Sequence, residues 1–349
     1  MCIRDSAYTG RSLPFPFMKT LKISFLQSTP DFGKEGIRHL LEDRYHIEES
    51  DSDFDYLIAT PWFYVNREAF YDFLERSPGH LTIMYGCHEA IAPDFMLFDY
   101  YIGVDAIPAS ERTVKLPSLR HHLQEVHGAK KGLNAENLLA AKTGFCNFIY
   151  ANRKSHPNRD AMFHKLSSYK FVNSLGSHLN NTPGDGLRTG DWYASSIRMK
   201  KPYKFSIAFE NAWYPGYTSE KLVTSMLAGT IPIYWGNPDI GREFNSSSFI
   251  NCHDFPTLDD AVAYVKKVDE DNGLWCEIMS RPWKTPEQEI LFLEETARET
   301  EKLYRIFDQA PEEAHRKGDG TWISYYQRFL KRGHKGRLAW HSLKSRLHQ

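Results

Sequence analysis

Short apolar runs separated by polar stretches set the rhythm of the first third of the chain. Leu21–Gln27, Tyr56–Thr60, Leu81–Gly86 and Tyr100–Val104 read as buried strands, because each is a brief run of β-branched, aromatic and aliphatic residues. Between them, Glu35–Asp43 and Asn66–Arg76 carry apolar residues at helical spacing. Alternation of this kind predicts a βα domain with a mostly parallel sheet. From Pro117 to Lys142 the strand signals stop and the text turns polar. This stretch reads as a connector, with His121, His122 and His127 on a solvated surface. The rhythm then resumes. Phe145–Tyr150, Phe171–Val172, Tyr203–Phe209, Ile231–Trp235 and Phe249–Asn251 read as strands. Arg159–Tyr169 and Ser219–Ala228 read as helices, and 173–202 as a loop. A further helix opens at Thr257-Leu258-Asp259-Asp260, close to a capping box, with Leu258, Ala261, Val262 and Val265 on one face.

The expected fold is therefore α/β: two Rossmann-like domains facing a central cleft. The expected divisions are an upstream or non-native leader over 1–17, an N-terminal domain over 18–125, a connector over 126–142, a C-terminal domain over 143–310, and a helical, basic tail over 311–349. The leader is set apart because it lacks periodicity and a secretory h-region, whereas a start-like Met18-Lys19-Thr20 leads straight into a strand.

Composition narrows the class without naming a function. The 349 residues are 41% hydrophobic and 25% charged, with a formal net charge of -1. That excludes a disordered or collagenous chain and gives no support for a general nucleic-acid binder. Five cysteines without a Cys-x-x-Cys argue against a disulfide framework or thiolate zinc site and fit a reducing, cytoplasmic setting. No run of 18 apolar residues occurs.

The densest chemistry lies in Tyr203–Gly236. A strand ends in Glu210-Asn211, a loop rich in Tyr, Pro and Gly follows, and a helix begins with Glu220 and Lys221. The unpaired N–H groups of a helix start attract anions, and a diphosphate suits that position. Lys221 would add charge, Asn211 and Tyr217 neutral donors, and Glu220 an acceptor for a sugar or ribose hydroxyl. An ordinary first-turn acid with a solvated lysine is the plainer reading of the same residues.

The segment resembles the signature of the α-1,3/1,4-fucosyltransferases, glycosyltransferase family 10 of bacterial type. The residues that carry the likeness are Phe209-Glu210-Asn211, Tyr217-Thr218-Ser219-Glu220-Lys221 and Ile231-Pro232-Ile233-Tyr234-Trp235-Gly236. Asn158-Arg159-Asp160-Ala161-Met162-Phe163 upstream and Phe249-Ile250-Asn251 with Asp254-Phe255 downstream extend it. The resemblance implies a GT-B fold and inverting transfer of L-fucose from GDP-β-L-fucose to a GlcNAc hydroxyl, as in N-acetyllactosamine. It implies that Arg159 and Lys221 neutralise the diphosphate, that Asn211 and Tyr217 hydrogen-bond it, and that Glu220 holds ribose or fucose. It places Asn173 and Ser174, in Val172-Asn173-Ser174-Leu175-Gly176, at the guanine pocket, with Asn173 standing where the family has Asp.

Inversion needs a base opposite the leaving diphosphate. The family carries a Glu four residues before a Pro, ahead of a Phe-Asp-Tyr. Here Glu89 precedes Pro93 and Phe98-Asp99-Tyr100, in the local text Gly86-Cys87-His88-Glu89-Ala90. Glu89 is the expected base and His88 the next candidate. No metal site is expected: Asp51-Ser52-Asp53 precedes a strand rather than following one. Cations and a helix start then stabilise the leaving group, and a divalent ion has at most an indirect, stimulatory role. Gly184–Trp192 reads equally as a lid or a variable surface loop, and Thr60–Asn66, with Trp62, Phe63 and Tyr64, as the acceptor side. Another nucleotide-sugar transferase and a non-catalytic glycan-binding protein remain open.

The charge figure conceals an asymmetry. Residues 328–349 hold seven cations (Arg328, Lys331, Arg332, Lys335, Arg337, Lys344 and Arg346) and no acid, so residues 1–327 carry -8. Leu330, Leu338, Trp340, Leu343 and Leu347 are interleaved among them. The tail is expected to touch an anionic membrane, at the inner face of a bacterial cytoplasmic membrane.

Overall fold

Apolar runs of four to seven residues pair into two parallel sheets, because neither face of such a strand tolerates water. The computed structural model describes residues 18–26, 33–87, 89–104, 110–116, 134–182, 192–318 and 320–332. The expectations for 1–17, for the three connector histidines, for His88, for most of the 184–192 loop and for the tail beyond residue 332 fall outside these.

The first sheet contains β1 (Thr20–Leu26), β2 (His46–Glu49), β3 (Tyr56–Ala59), β4 (Leu81–Tyr85), β5 (Tyr100–Gly103) and β6 (Thr113–Lys115), in the order β2-β1-β3-β4-β5-β6. The second contains β7 (Gly144–Phe148), β8 (Val172–Ser174), β9 (Tyr203–Phe209), β10 (Ile231–Trp235) and β11 (Ile250–Asn251), in the order β11-β10-β9-β7-β8. Counted from its own first strand, the second sheet also begins 2-1-3-4-5. The pairings of β1 with β2 and β3, β3 with β4, β7 with β8 and β9, and β10 with β9 and β11 are all parallel. Two strands were not legible in the pattern. β2 and β6 are both edge strands, and an edge strand needs few apolar residues: β2 is largely exposed.

The helices are α1 (Gly33–Leu41), α2 (Arg67–Arg76), α3 (Ala135–Ala140), α4 (Asn158–Ser167), α5 (Trp192–Lys200), α6 (Glu220–Leu227), α7 (Ile240–Glu243), α8 (Leu258–Glu270), α9 (Asn272–Ser280), α10 (Pro286–Asp308) and α11 (Pro311–Ala314). Their starts follow local chemistry. Asn66 caps α2, its Oδ1 accepting from Glu68 N and Ala69 N at 3.0 and 3.2 Å. Thr257 and Asp260 form the full capping box of α8.

α5 corrects the reading of 173–202 as loop. Its buried face runs through Tyr193, half-buried Ile197 and Lys200, the i, i+4, i+7 stripe of a helix. A lysine at the third position breaks the apolar pattern that would have revealed it.

The described residues form two compact units. One holds the chain up to Cys87, Pro93–Tyr101 and the residues from Leu303 on; the other holds Ala92 and its neighbours back to Glu89, and Ile102–Lys302. The chain returns to the first unit at Leu303, within the last turns of α10. Lys19 Nζ donates to Phe307 O at 2.7 Å, and the Tyr45 hydroxyl to Asp308 Oδ1 at 2.7 Å. Buried Asp99 accepts from Arg316 N and Lys317 N at 2.8 and 2.7 Å. Burial alone would raise its pKa; Lys317 and these N–H donors outweigh it and hold the carboxyl below its ordinary value. Such anchoring links residues more than 200 positions apart, which no local pattern encodes.

The second unit's core sits on both faces of its sheet. Phe148, Phe205, Ile207, Ile233, Val265 and Trp275 pack in one cluster, and Ala208, Leu222, Val223, Met226 and Tyr234 in another. Successive strand residues face opposite sides, so Ile207 and Ala208 serve different clusters. No described helix is long and apolar enough to cross a membrane.

Candidate functional site

In an open parallel sheet, ligands bind beyond the strand C-termini where the order of strands reverses direction. In the second sheet that point lies between β7 and β9. The segment after β7 leads through α4 to β8 on one side, and the segment after β9 leads through α6 to β10 on the other.

The two segments meet there. Tyr150, just after β7, is buried, its hydroxyl accepting from Phe209 N at 2.8 Å and lying 3.0 Å from the Ile207 and Phe209 carbonyls. Its ring lies under the Arg159 guanidinium, 4.3 Å from centroid to Cζ. Arg159, in the first turn of α4, is wholly buried. It donates through Nη1 to Asn211 Oδ1 at 3.1 Å and through Nη2 to the Asn152 carbonyl. Its Nε is buried without a hydrogen-bond partner. The Asp160 carboxylate stands 3.8 Å away but is engaged by His178 Nε2 at 2.9 Å. Burial pulls the guanidinium's pKa down. A desolvated cation without a bonded carboxylate is a place prepared for an anion. The Arg159 contact fixes the Asn211 amide with its oxygen inward and leaves its Nδ2 hydrogens for a ligand.

α6 supplies the second charged group. Ser219 is its N-cap, and Glu220 and Lys221 are its first helical residues. Glu210, fully buried at the end of β9, accepts from Ser219 N at 2.8 Å, Ser219 Oγ at 2.6 Å and Lys221 Nζ at 3.2 Å. Lys221 Nζ also reaches Glu220 Oε1 at 3.6 Å. Burial disfavours the ammonium, but Glu210 and Glu220 outweigh it and raise its pKa well above the ordinary lysine value. Lys221 is thus a fixed, fully protonated charge rather than a swinging arm. Gly236 makes room for this arrangement: a Cβ there would collide with Glu210 Cβ and Cγ.

Tyr217 is buried beside the same cluster. Burial pushes its phenol pKa up, so it remains a neutral hydroxyl within the fields of Lys221, Glu210, Glu89 and Glu220. Glu89 itself follows β4 in sequence but groups with the second unit. It is reachable by solvent. Crowding by surrounding protein nevertheless raises its pKa; Lys221 opposes that rise, and Glu220 and Glu210 add to it. Preceding it, Cys87 holds a left-handed backbone, φ 48°, which turns the chain out of the strand.

The structure therefore brings Arg159, Asn211, Tyr217, Glu220, Lys221 and Glu89 into one electrostatic neighbourhood. Asn173 and Ser174 are used differently. Ser174 is buried; its Oγ donates to the His178 carbonyl at 2.9 Å and its backbone N–H to Asn181 Oδ1 at 2.7 Å. Asn173 Nδ2 donates to Thr182 Oγ1 at 3.2 Å. Both side chains shape the turn after β8.

Several residues were not singled out in the sequence. Glu210 was visible only as half of a polar pair, yet it is the buried counter-charge of Lys221. Tyr150 and Asn152 hold Arg159. Trp235 lies between His156 and His253, ring centroids 4.4 and 5.9 Å away, a flat apolar group at the end of β10. Burial lowers the His253 pKa, and its Nε2 lies 3.1 Å from Gly236 N.

Among the described residues, no group of three or more His, Cys, Asp or Glu is placed to hold a metal ion. Asp51 bonds Ser24 Oγ at 2.8 Å and Asp53 bonds Lys22 Nζ at 2.5 Å.

Comparison with known proteins places this geometry in context. Residues 139–308 match the model of glycosyltransferase family 10 (fucosyltransferase) C-term. The chain is 30% identical over 219 residues to an alpha-(1,3)-fucosyltransferase of Helicobacter pylori, covering 54% of this chain and 44% of that protein. It spans less than half the length of that curated relative. Two crystal structures of alpha1,3-fucosyltransferase share the fold. One, with a TM-score of 0.65 and 23% identity, aligns over 83% of this chain and 92% of its own. The other, solved with GDP-fucose, has a TM-score of 0.61 and 23% identity over 86% of this chain and 94% of its own.

Proposed function

Residues 139–308 of this chain belong to glycosyltransferase family 10, the fucosyltransferases, as its C-terminal domain, and on that premise we propose that the protein moves L-fucose from GDP-β-L-fucose to a GlcNAc hydroxyl with inversion. The observation that carries the reading is the pairing of Arg159 with Asn211 across the β7–β9 switch point, a buried cation awaiting an anion.

In this mechanism the acceptor oxygen attacks fucose C1 from the face opposite the diphosphate. The C1–O bond to phosphate breaks, its electron pair leaves with GDP, and the acceptor proton passes to Glu89. Charge grows on the β-phosphate as the bond opens. Arg159 and Lys221, already fixed and desolvated, meet that charge without reorganising, which is where most of the rate gain of such sites arises. Asn211 and Tyr217 add neutral hydrogen bonds, Glu220 accepts from a ribose or fucose hydroxyl, and Asn173 and Ser174 form the floor of the guanine side through the turn they build. The step is written without a metal.

The test is a transfer assay with GDP-fucose and N-acetyllactosamine, the linkage read by NMR. An α-1,3- or α-1,4-fucosylated product is expected, with GDP-mannose and UDP-sugars inert. Absence of transfer to every GlcNAc acceptor, with the donor stable, would overturn the reading.

We also propose that the C-terminal segment holds the enzyme at an anionic membrane from the cytoplasmic side. Residues 321–332 are helical and expose Trp322, Tyr325 and Phe329, at 80%, 53% and 69%, beside Arg328, Lys331 and Arg332. Aromatic and basic side chains on one helix suit the interface of an acidic bilayer. The full chain is expected to co-sediment with phosphatidylglycerol-containing vesicles at low salt, and truncation at residue 327 to abolish this; equal sedimentation of the two would refute it.

A further inference from the structure

Lys200 has no part in the mechanism above, and it is buried, with only 5% of its surface exposed. It closes α5 and points at α6. Its Nζ donates to Thr224 Oγ1 at 2.6 Å, and the Thr224 hydroxyl donates in turn to the Glu220 carbonyl at 2.8 Å. The ammonium therefore stands one side chain behind the backbone of the two residues, Glu220 and Lys221, that open α6.

This is a costly place for a cation. An ammonium has three protons to satisfy, and here one meets an acceptor among the described residues. A helix start already carries positive partial charge. Lys221 repels a second cation, while Glu220 and Glu210 attract it; these are the charged groups that bear on Lys200 among the described residues. A small core would accommodate Met or Leu at this position more cheaply. An anion at the start of α6 would relieve the Coulomb part of this cost, the repulsion from Lys221 and from the helix start.

We propose that Lys200 is a positioning residue of the donor site, which takes up a proton as the donor diphosphate binds and thereby fixes the first turn of α6 through Thr224. The inference rests on the donor reading of that site. Burial has lowered the Lys200 pKa to about 7, so the free protein is a mixture of charged and neutral forms near neutrality. A bound diphosphate stabilises the charged form and raises that value. The charged form is consequently the tighter binder. Donor affinity should be greatest below the free-state pKa and fall as pH rises through it, levelling off above the bound-state value. Each unit by which the diphosphate raises the pKa corresponds to a loss of about tenfold in affinity across that window.

Titration calorimetry with GDP-fucose decides the matter, because both phosphates of this donor are esterified and neither titrates near neutrality. Measured in buffers of different ionisation enthalpy, the wild-type chain is expected to show net proton uptake, with Kd rising about tenfold between about pH 6 and about pH 9. Lys200→Met should bind about tenfold more weakly at low pH, with the uptake gone. Lys200→Arg, permanently charged, should keep the affinity and lose both the uptake and the pH dependence. If Lys200→Met does not fold, Lys200→Arg decides alone: uptake equal to wild type overturns the proposal. Wild-type binding without proton exchange, or Lys200→Met indistinguishable from wild type, overturns it while leaving the donor reading intact. Failure of the wild-type chain to bind GDP-fucose at any pH removes both.

Discussion

Glu89→Gln is expected to lower kcat for fucose transfer by about 10²–10⁴-fold, the usual contribution of a positioned general base, while donor binding persists. The exchange keeps size and shape and removes only the ability to take a proton. The carboxyl lies in the neighbourhood of Tyr217, Lys221 and Glu220, whose charges act on it, and it remains open to solvent where an acceptor would enter. Its pH behaviour gives a second readout. In the proposed mechanism Glu89 acts as the carboxylate, and its pKa is raised by the crowding around it, with Glu220 and Glu210 adding to the rise. The rate should therefore fall on the acid side, through a midpoint above the ordinary glutamate value. Glu89→Gln should abolish that limb along with the activity. Near-full transfer by Glu89→Gln would take this residue out of the mechanism and turn attention to His88.

Arg159→Met should cost about 10²–10³-fold in kcat/KM for GDP-fucose, the scale of removing one preorganised charge donor. The interest of this variant lies in separating function from stability. Arg159 is fully desolvated, and its Nε has no hydrogen-bond partner. Replacing it with Met leaves no charge uncompensated, since Asp160 is held by His178, but unpairs the Asn211 and Asn152 oxygens. The urea midpoint of Arg159→Met is thus expected to fall only modestly, on the scale of one or two hydrogen bonds. Arg159→Lys should not rescue activity, because an ammonium cannot bridge Asn211 and Asn152 while stacking on Tyr150. A variant that unfolds at far lower urea and retains its kcat/KM would reverse the assignment and make Arg159 a structural residue.

Much of the chain was readable because its core strands are buried on both faces. Tyr203–Phe209 and Ile231–Trp235 were bounded to the residue, as unbroken apolar runs ending at Glu210 and Gly236. Strands at sheet edges were not. β2 contains a single apolar residue, Ile47, and its existence depends on the ladder with β1. α5 was hidden by the feature that makes it interesting, a lysine where the apolar stripe requires a hydrophobe.

The candidate site divides along the same line. Residue type and order marked Asn211, Tyr217, Glu220 and Lys221 only as candidates, beside the plainer reading of a first-turn acid and a solvated lysine; Arg159 and Glu89 were marked by the resemblance to family 10. Charge state and partnership were beyond reach. Glu210 and Lys221 are eleven positions apart, and Lys200 and Thr224 twenty-four; only the packing of β9, α5 and α6 makes each a pair. The sequence by itself determined the alternating α/β architecture and the chemical cast of the site, since hydrophobic period and residue chemistry are local properties. The tertiary structure decided which side chains lose water and which charges they then meet. That determines whether a lysine is a fixed cation like Lys221 or a titrating one like Lys200, because desolvation and Coulomb energies depend on distance in space.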